Sequence, residues 1–186
     1  MAYADDMVET EAEREALRTL RDATGKTDEM MERHGVRCFL LCEQLAAKAG
    51  EELDREVMLI ASIVHDIGLY DAASHGGVYT EESGDVARRI GLEAEWDEAR
   101  IELCAEACAR HHALRTQSGF PYEVEALRRA DLIEVSAGLV RCGLPRDTIQ
   151  EVFDAVPRQG VYLKLARDIW PVLRHRPLTL PKVFKL

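Results

Sequence analysis

No stretch of this chain reaches the roughly 18 consecutive apolar residues that a membrane-spanning helix needs. The opening MAYADDMVETEAERE has neither the basic start nor the apolar core of a secretory leader, so cytoplasmic residence is the expectation. Positive charge is also in short supply: 24 Lys and Arg stand against 34 Asp and Glu, a formal net charge of −10. That balance, with a pI near 5.1, argues against nonspecific binding to nucleic acid or to an anionic membrane. An anionic substrate would need local Arg or Lys working against the field of the whole molecule. Internal repeats, low-complexity tracts and long linkers are missing too. So is any convincing period-two alternation, which leaves little room for strands and points to an all-α, single-domain helical bundle over residues 1–186. A chain of 186 residues is long enough for one domain with a substantial core.

Cysteine is sparse and odd in number. Of the five, Cys38/Cys42 and Cys104/Cys108 are spaced four apart within predicted helices, and Cys142 stands alone. A zinc knuckle places its cysteine pair on a turn and its partners on a second turn. Small buried thiols on helix faces fit this pattern better, and an odd count suits a reducing compartment.

What the chain does have is helical periodicity with punctuation. Residues 8–23 read as a charged amphipathic helix, broken at Gly25. Thr27, followed by Asp28 and Glu29, is a good N-cap for a helix that Gly50 would stop. A second apolar helix runs from about Leu53 to His65. Residues 68–80 carry Gly76-Gly77 and aromatics and read as a loop, either a plain surface loop or one free enough to act as a lid. Further helices are expected over 81–90 (ended by Gly91), 95–112 (Trp96, Ala99, Leu103 and Ala107 inward), 122–141 and 145–156. A last one over 158–174 should bend near Pro171, and a Pro-rich extended tail follows.

The most informative residues are His65-Asp66, at the end of the apolar run Val57 to Val64. Titratable pairs rarely leave a core helix at such a place unless they are paired or bind a metal. His34 falls in register with Met30, Cys38, Leu41 and Leu45, so it points with the apolar stripe. Asp131 shares a face with Leu127 and Val135, where an unpaired carboxylate would be costly and a cation is the simplest partner. Two imidazoles and two carboxylates neutralise a divalent ion, and mixed N/O ligation suits Mn, Fe, Co, Ni or Zn without selecting sharply among them. Neighbours on a regular helix point roughly 100° apart, so convergence of His65 and Asp66 requires the last turn to loosen, with Gly68 just beyond to permit it.

His34, His65-Asp66 and Asp131 together resemble the signature of the HD-domain superfamily of metal-dependent phosphohydrolases, over about residues 27–143. The resemblance implies an HD-type helical bundle, with residues 144–186 as C-terminal helices and tail. It also implies one divalent ion on His34, His65, Asp66 and Asp131, and hydrolysis of a nucleotide or other small phosphorylated molecule by a metal-activated water, with Asp66 in the catalytic centre. His111-His112 before Gly119-Phe120-Pro121 is similar to the branch that degrades cyclic dinucleotides, where extra histidines bind a second metal, as in the di-iron oxygenases. A further His is expected there at the start of the next helix. This chain has Glu81 and Glu82 instead, so a second metal is not expected, and His111 or His112 is assigned to substrate contact or acid–base work.

Leu69 stands where many HD phosphohydrolases carry Lys. His-Asp-Ile-Gly without that Lys is similar to the cyanamide hydratase-like branch, as are Ala130-Asp131-Leu132-Ile133 and Gly143-Leu144-Pro145-Arg146. Hydration of a small nitrile-type substrate is therefore the alternative activity, and a non-catalytic metal-binding module the third. For a phosphate, Arg33, Arg37, Arg88, Arg89, Arg110 and Arg115 are the available cations. Arg37, near His34, and Arg115, just after the histidine pair, are the chosen substrate contacts, together with His75 and Tyr79 from the loop, where Tyr70 could also roof the pocket. A small-molecule substrate is the expected partner, and a homo-oligomer is compatible with the sequence.

Overall fold

The computed structural model describes residues 4–25, 29–158, 160–175 and 177–185. Among them there are no strands, and most lie in α-helices. The described residues form nine α-helices, in order: α1 (Glu11–Thr24), α2 (Glu29–Ala49), α3 (Arg55–Val64), α4 (Tyr79–Glu93), α5 (Glu98–Arg110), α6 (Tyr122–Val135), α7 (Arg146–Ala155), α8 (Val161–His175) and α9 (Leu180–Val183). The long α2 packs against α3 and α6, α3 lies between α1 and α5, and α4 runs along α5. No described helix is long and apolar enough to cross a membrane.

Local chemistry sets the boundaries. Thr10 and Glu13 form a reciprocal capping box, so the first helix opens at Glu11 and not at residue 8. Asp54 caps α3 by accepting from Val57 N at 3.2 Å, and Asp97 caps α5 by accepting from Arg100 N at 3.0 Å. Arg100 then donates back to Asp54 Oδ2 at 2.7 Å, tying the starts of α3 and α5 together. Gly50 follows α2 at φ +72, the left-handed stop expected of it. The Thr27-Asp28 cap falls outside the described residues.

Four expectations need correction. Gly91 does not end the fourth helix, which continues to Glu93. A Cβ there would meet Ile101 Cγ1 at 3.0 Å and Trp96 Cε3 at 3.1 Å, so this glycine serves close packing against α5. Ala99 is exposed; Ala107 is buried and Trp96 and Leu103 pack against the core as expected, but the buried face of α5 also takes in Ile101, Cys104, Ala105 and Cys108. The helix carrying Asp131 stops at Val135, where Gly138 (φ +75) donates its N–H to Ile133 O at 2.8 Å and closes the end. Glu134, and not the exposed Val135, shares the buried face. Finally, the tail is not extended: a 3-10 turn, Pro177–Thr179, leads into α9, with Pro181 near the helix start where a missing N–H costs nothing. Val183 of α9 is buried against Val78 and Tyr79.

The core is continuous through α1, α2, α3, α5, α6 and α7, with Leu20, Phe39, Leu41, Met58, Ile60, Leu127 and Ile133 fully buried. Each such side chain contributes on the order of 1.5–3 kcal/mol of transfer free energy. Cys104 and Cys108 sit at the α3 contact, their thiols 3.7 Å from the carbonyls of Val57 and Ala61. They behave as small packing groups with weak donors.

Candidate metal centre

Four helix segments deliver titratable side chains to one buried point. His34 comes from the middle of α2 and Asp131 from α6. His65 and His111 occupy the C-cap positions of α3 and α5 with nearly the same backbone, φ −58 in both and ψ −27 and −25. Each turns its Nδ1 onto the carbonyl three residues back: His65 on Ser62 O at 2.8 Å, His111 on Cys108 O at 2.6 Å. A carbonyl only accepts, so the proton on that side belongs to the imidazole and Nε2 is left facing the cluster. Asp66 departs from helical geometry (φ −104, ψ 4), the loosening that lets both members of the pair point inward. Gly68 has no positive φ. A Cβ on it would lie 2.1 Å from Tyr79 O, so its role is close approach of the His-Asp turn to α4.

The polar atoms lie close together. His34 Nε2 is 3.0 Å from His65 Nε2, 3.6 Å from Asp66 Oδ2 and 3.5 Å from Asp131 Oδ1. His65 Nε2 is 3.5 Å from Asp66 Oδ2 and 3.8 Å from Asp131 Oδ1. The second oxygen of each carboxylate reaches the other histidine pair, Asp66 Oδ1 to His111 Nε2 at 3.3 Å and Asp131 Oδ2 to His112 Nδ1 at 3.2 Å. Three overlapping sets result, His34-Cys38-His65-Asp131, His65-Asp66-His111 and His111-His112-Asp131, each with ligand atoms mutually within 4.8 Å. The cluster could hold a metal ion. Asp131 Oδ1 and His111 Nε2 are buried, and beyond these contacts with the cluster itself neither makes a well-formed hydrogen bond among the described residues, as a site built for a cation would leave them.

A supporting layer lies behind. His34 Nδ1 faces Glu134 Oε2 at 3.0 Å, and Glu134 also takes Arg37 Nε at 2.7 Å. Burial resists charge on Glu134, but His34 and Arg37 together hold its carboxyl below the usual range, so it is the anion of this layer. Burial likewise opposes ionisation of Asp66, and His65, His111 and His34 override it, holding its pKa well below normal. For Asp131 the same opposition is overridden chiefly by His112. Burial, then the like charges of His112 and His65, push His111 down to about 4. His112 moves the other way, since Asp131 outweighs its desolvation. Burial pushes the Cys38 thiol up to about 11, so it keeps its proton at neutral pH.

Of the residues singled out in the sequence, the structure brings His34, His65, Asp66, Asp131, His111, His112 and Tyr79 together. It does not bring Arg37, His75 or Arg115. Arg37 is fully buried with its guanidinium on Glu134 and the carbonyls of Val156 and Pro157, both at 3.3 Å. Its work there is to neutralise a buried carboxylate, which a helix-face register cannot distinguish from facing a ligand. His75 is exposed and lines a separate surface cavity of about 450 Å³ with Glu15, Asp22 and Arg89. Arg115 is exposed. Tyr70 turns to Asp168, its hydroxyl donating at 2.8 Å. Two members of the site escaped the sequence reading. Cys38, one turn after His34, lies 4.0 Å from both its ring nitrogens, and Glu134 sits three residues after Asp131. A second acid one turn from the first on an apolar helix was the available signal for Glu134.

His112 is the most exposed of the clustered histidines, at 22% of its side chain, so the approach from solvent is on its side. The Phe184 ring of the tail stands 6.4 Å from it. No protein-family model and no curated protein matches the chain.

Proposed function

We propose that the protein is a metal-dependent hydrolase of the HD type, acting on a small molecule, with a divalent ion held by His34, His65, Asp66 and Asp131. One observation carries the reading: two imidazoles meet Nε2 to Nε2 at 3.0 Å while their Nδ1 sides are turned to Glu134 and Ser62. Two lone pairs at that distance repel, and a single shared proton or a cation is what reconciles them. The two adjacent carboxylates supply the charge that favours the cation.

Bound there, a divalent ion supplies Lewis acidity and lowers the pKa of a coordinated water. The rest falls to side chains of this chain. Asp66 and Asp131 each span from the His34–His65 side to the His111–His112 side and orient both. Burial of His111 excludes bulk water from that edge. His112, held through Nδ1 by Asp131 and partly open, is placed to exchange a proton with a substrate or leaving group.

A second reading, hydration of a small neutral substrate of the nitrile type, is favoured by where the cations go. Arg33 pairs with Glu29, Arg88 with Asp85 and Glu102, Arg89 with Glu93, and Arg110 with Glu106 while covering the Phe120 ring. With Arg37 on Glu134 and Arg115 exposed, none of the six arginines considered for a phosphate is seen at the cluster. Protein reconstituted with Mn, Fe, Co, Ni or Zn should be offered nucleotides, phosphomonoesters, cyanamide and small nitriles, with Asp66→Ala as the blank. Turnover of a phosphate ester supports the first reading and turnover of a nitrile the second. Identical background rates for wild type and Asp66→Ala across the whole panel sink both.

A further inference from the structure

Tyr79, the first residue of α4, is buried to 1% exposure, yet its hydroxyl has no hydrogen-bond partner among the described residues. A phenol removed from water without an acceptor is costly, and such a group in a packed site calls for a reason. Its ring stands 6.1 Å from those of both His111 and His112, edge-on at 65° and 68°. The carboxylates of Asp66 and Asp131 both act electrostatically on the phenol.

The residue is also held from two sides. Below it, Ser83 Oγ donates to Tyr79 O at 3.0 Å and accepts from Gly68 N at 3.0 Å, so the His65-Asp66 turn and Tyr79 are one unit. Above it, Val183 covers the ring, and the tail is tied down by Leu114 N donating to Phe184 O at 3.1 Å. A neutral donor is therefore held beside the cluster with nothing among the described residues to accept from it.

We propose that the Tyr79 hydroxyl is a substrate contact that donates a hydrogen bond to a lone-pair-bearing atom of whatever binds at the cluster. The ligand class is then a small molecule with an acceptor atom next to the one that is attacked, a P–O oxygen or a heteroatom on carbon. This rests on the metal reading above.

The test uses full-length protein loaded with cobalt(II), whose visible spectrum reports on ligands, and azide as the probe acceptor. Tyr79→Phe keeps the ring and removes only the donor. It should take up as much cobalt as wild type, melt no lower, and bind azide about tenfold more weakly. Equal azide affinity in the two proteins overturns the proposal, as does a wild-type spectrum that azide leaves unchanged. A variant that loses cobalt or melts lower assigns Tyr79 to the scaffold, which also overturns it. Failure of wild type to take up cobalt, seen before any azide is added, sinks the metal reading itself and this proposal with it.

Discussion

His34 and Arg37 share Glu134, and this one carboxylate links the candidate ligands to the support behind them. Glu134→Gln leaves the fully buried Arg37 without a counter-charge, a loss of about 3–5 kcal/mol by analogy with other broken buried pairs. Removing the anion behind a ligating imidazole should also weaken metal binding about 10- to 100-fold. Urea unfolding and metal titration check the two effects separately, and a variant as stable as wild type would remove Glu134 from the account. Asp66→Ala should behave differently. It takes away a group whose burial opposes its own charge, so helicity by circular dichroism should persist while metal content falls to background. At this scale the sequence was most readable where it broke a rule: His34, His65, Asp66 and Asp131 stand out because polar groups sit on apolar faces. It was least readable for direction. Arg37 was identified but given a ligand to face, and Glu134, one turn from Asp131, was passed over; only packing decides that the two face each other.

At the scale of elements, the centre depends on how closely the His-Asp turn after α3 approaches α4. The His-Asp turn can lie against α4 because residue 68 has no side chain: a Cβ would sit 2.1 Å from Tyr79 O. Gly68→Ala must displace backbone, and a cost of about 1–3 kcal/mol, with weaker metal retention, is expected by urea unfolding. Gly119→Ala is the control, since nothing lies within 4 Å of its Cβ position. It should be neutral or stabilise by about 0.4–1 kcal/mol.

Glu125 ties the segment after His111-His112 to α6, accepting from Gln117 N at 2.9 Å and from Arg128 and Arg129. Burial resists its charge, but these donors bring its pKa down to about 2. A folded pKa below the unfolded one stabilises above pH 4.5, the ordinary value for a glutamate, and that contribution is lost as pH falls towards about 2. Glu125→Gln should therefore be less stable than wild type near neutrality and lose the difference across this window, as unfolding curves at stepped pH would show. A constant difference would contradict the assignment. The glycine stop at Gly50 was legible because it is local and acts within a turn; the Asp54 and Asp97 caps went unread, and helices were expected to start at about Leu53 and residue 95 rather than at Arg55 and Glu98. Gly91 and the tail were misread because their reasons lie on other elements, Ile101 and Trp96 in one case, Val78 and Tyr79 in the other.

For the whole molecule, the absence of alternating patterns sufficed for an all-α reading, since amphipathic helices announce themselves by period alone. Which ends of which helices meet is a long-range property, and only His34, the His65-Asp66 pair and Asp131, three places far apart in sequence, hinted at it. A site assembled from α2, α3, α5 and α6 exists only in the folded chain, so binding there must add to stability: a ligand at 100 times its dissociation constant contributes about 2.7 kcal/mol. Chelation should accordingly lower the melting temperature, and restoring the metal should recover it. The most direct test is elemental analysis of purified wild type and His34→Ala, paired with their melting temperatures with and without added divalent metal. The expected result is about one divalent ion per wild-type chain, a melting temperature that rises with metal, and neither property in His34→Ala. A wild-type protein that carries no metal and melts at the same temperature whether or not metal is added would contradict the central claim.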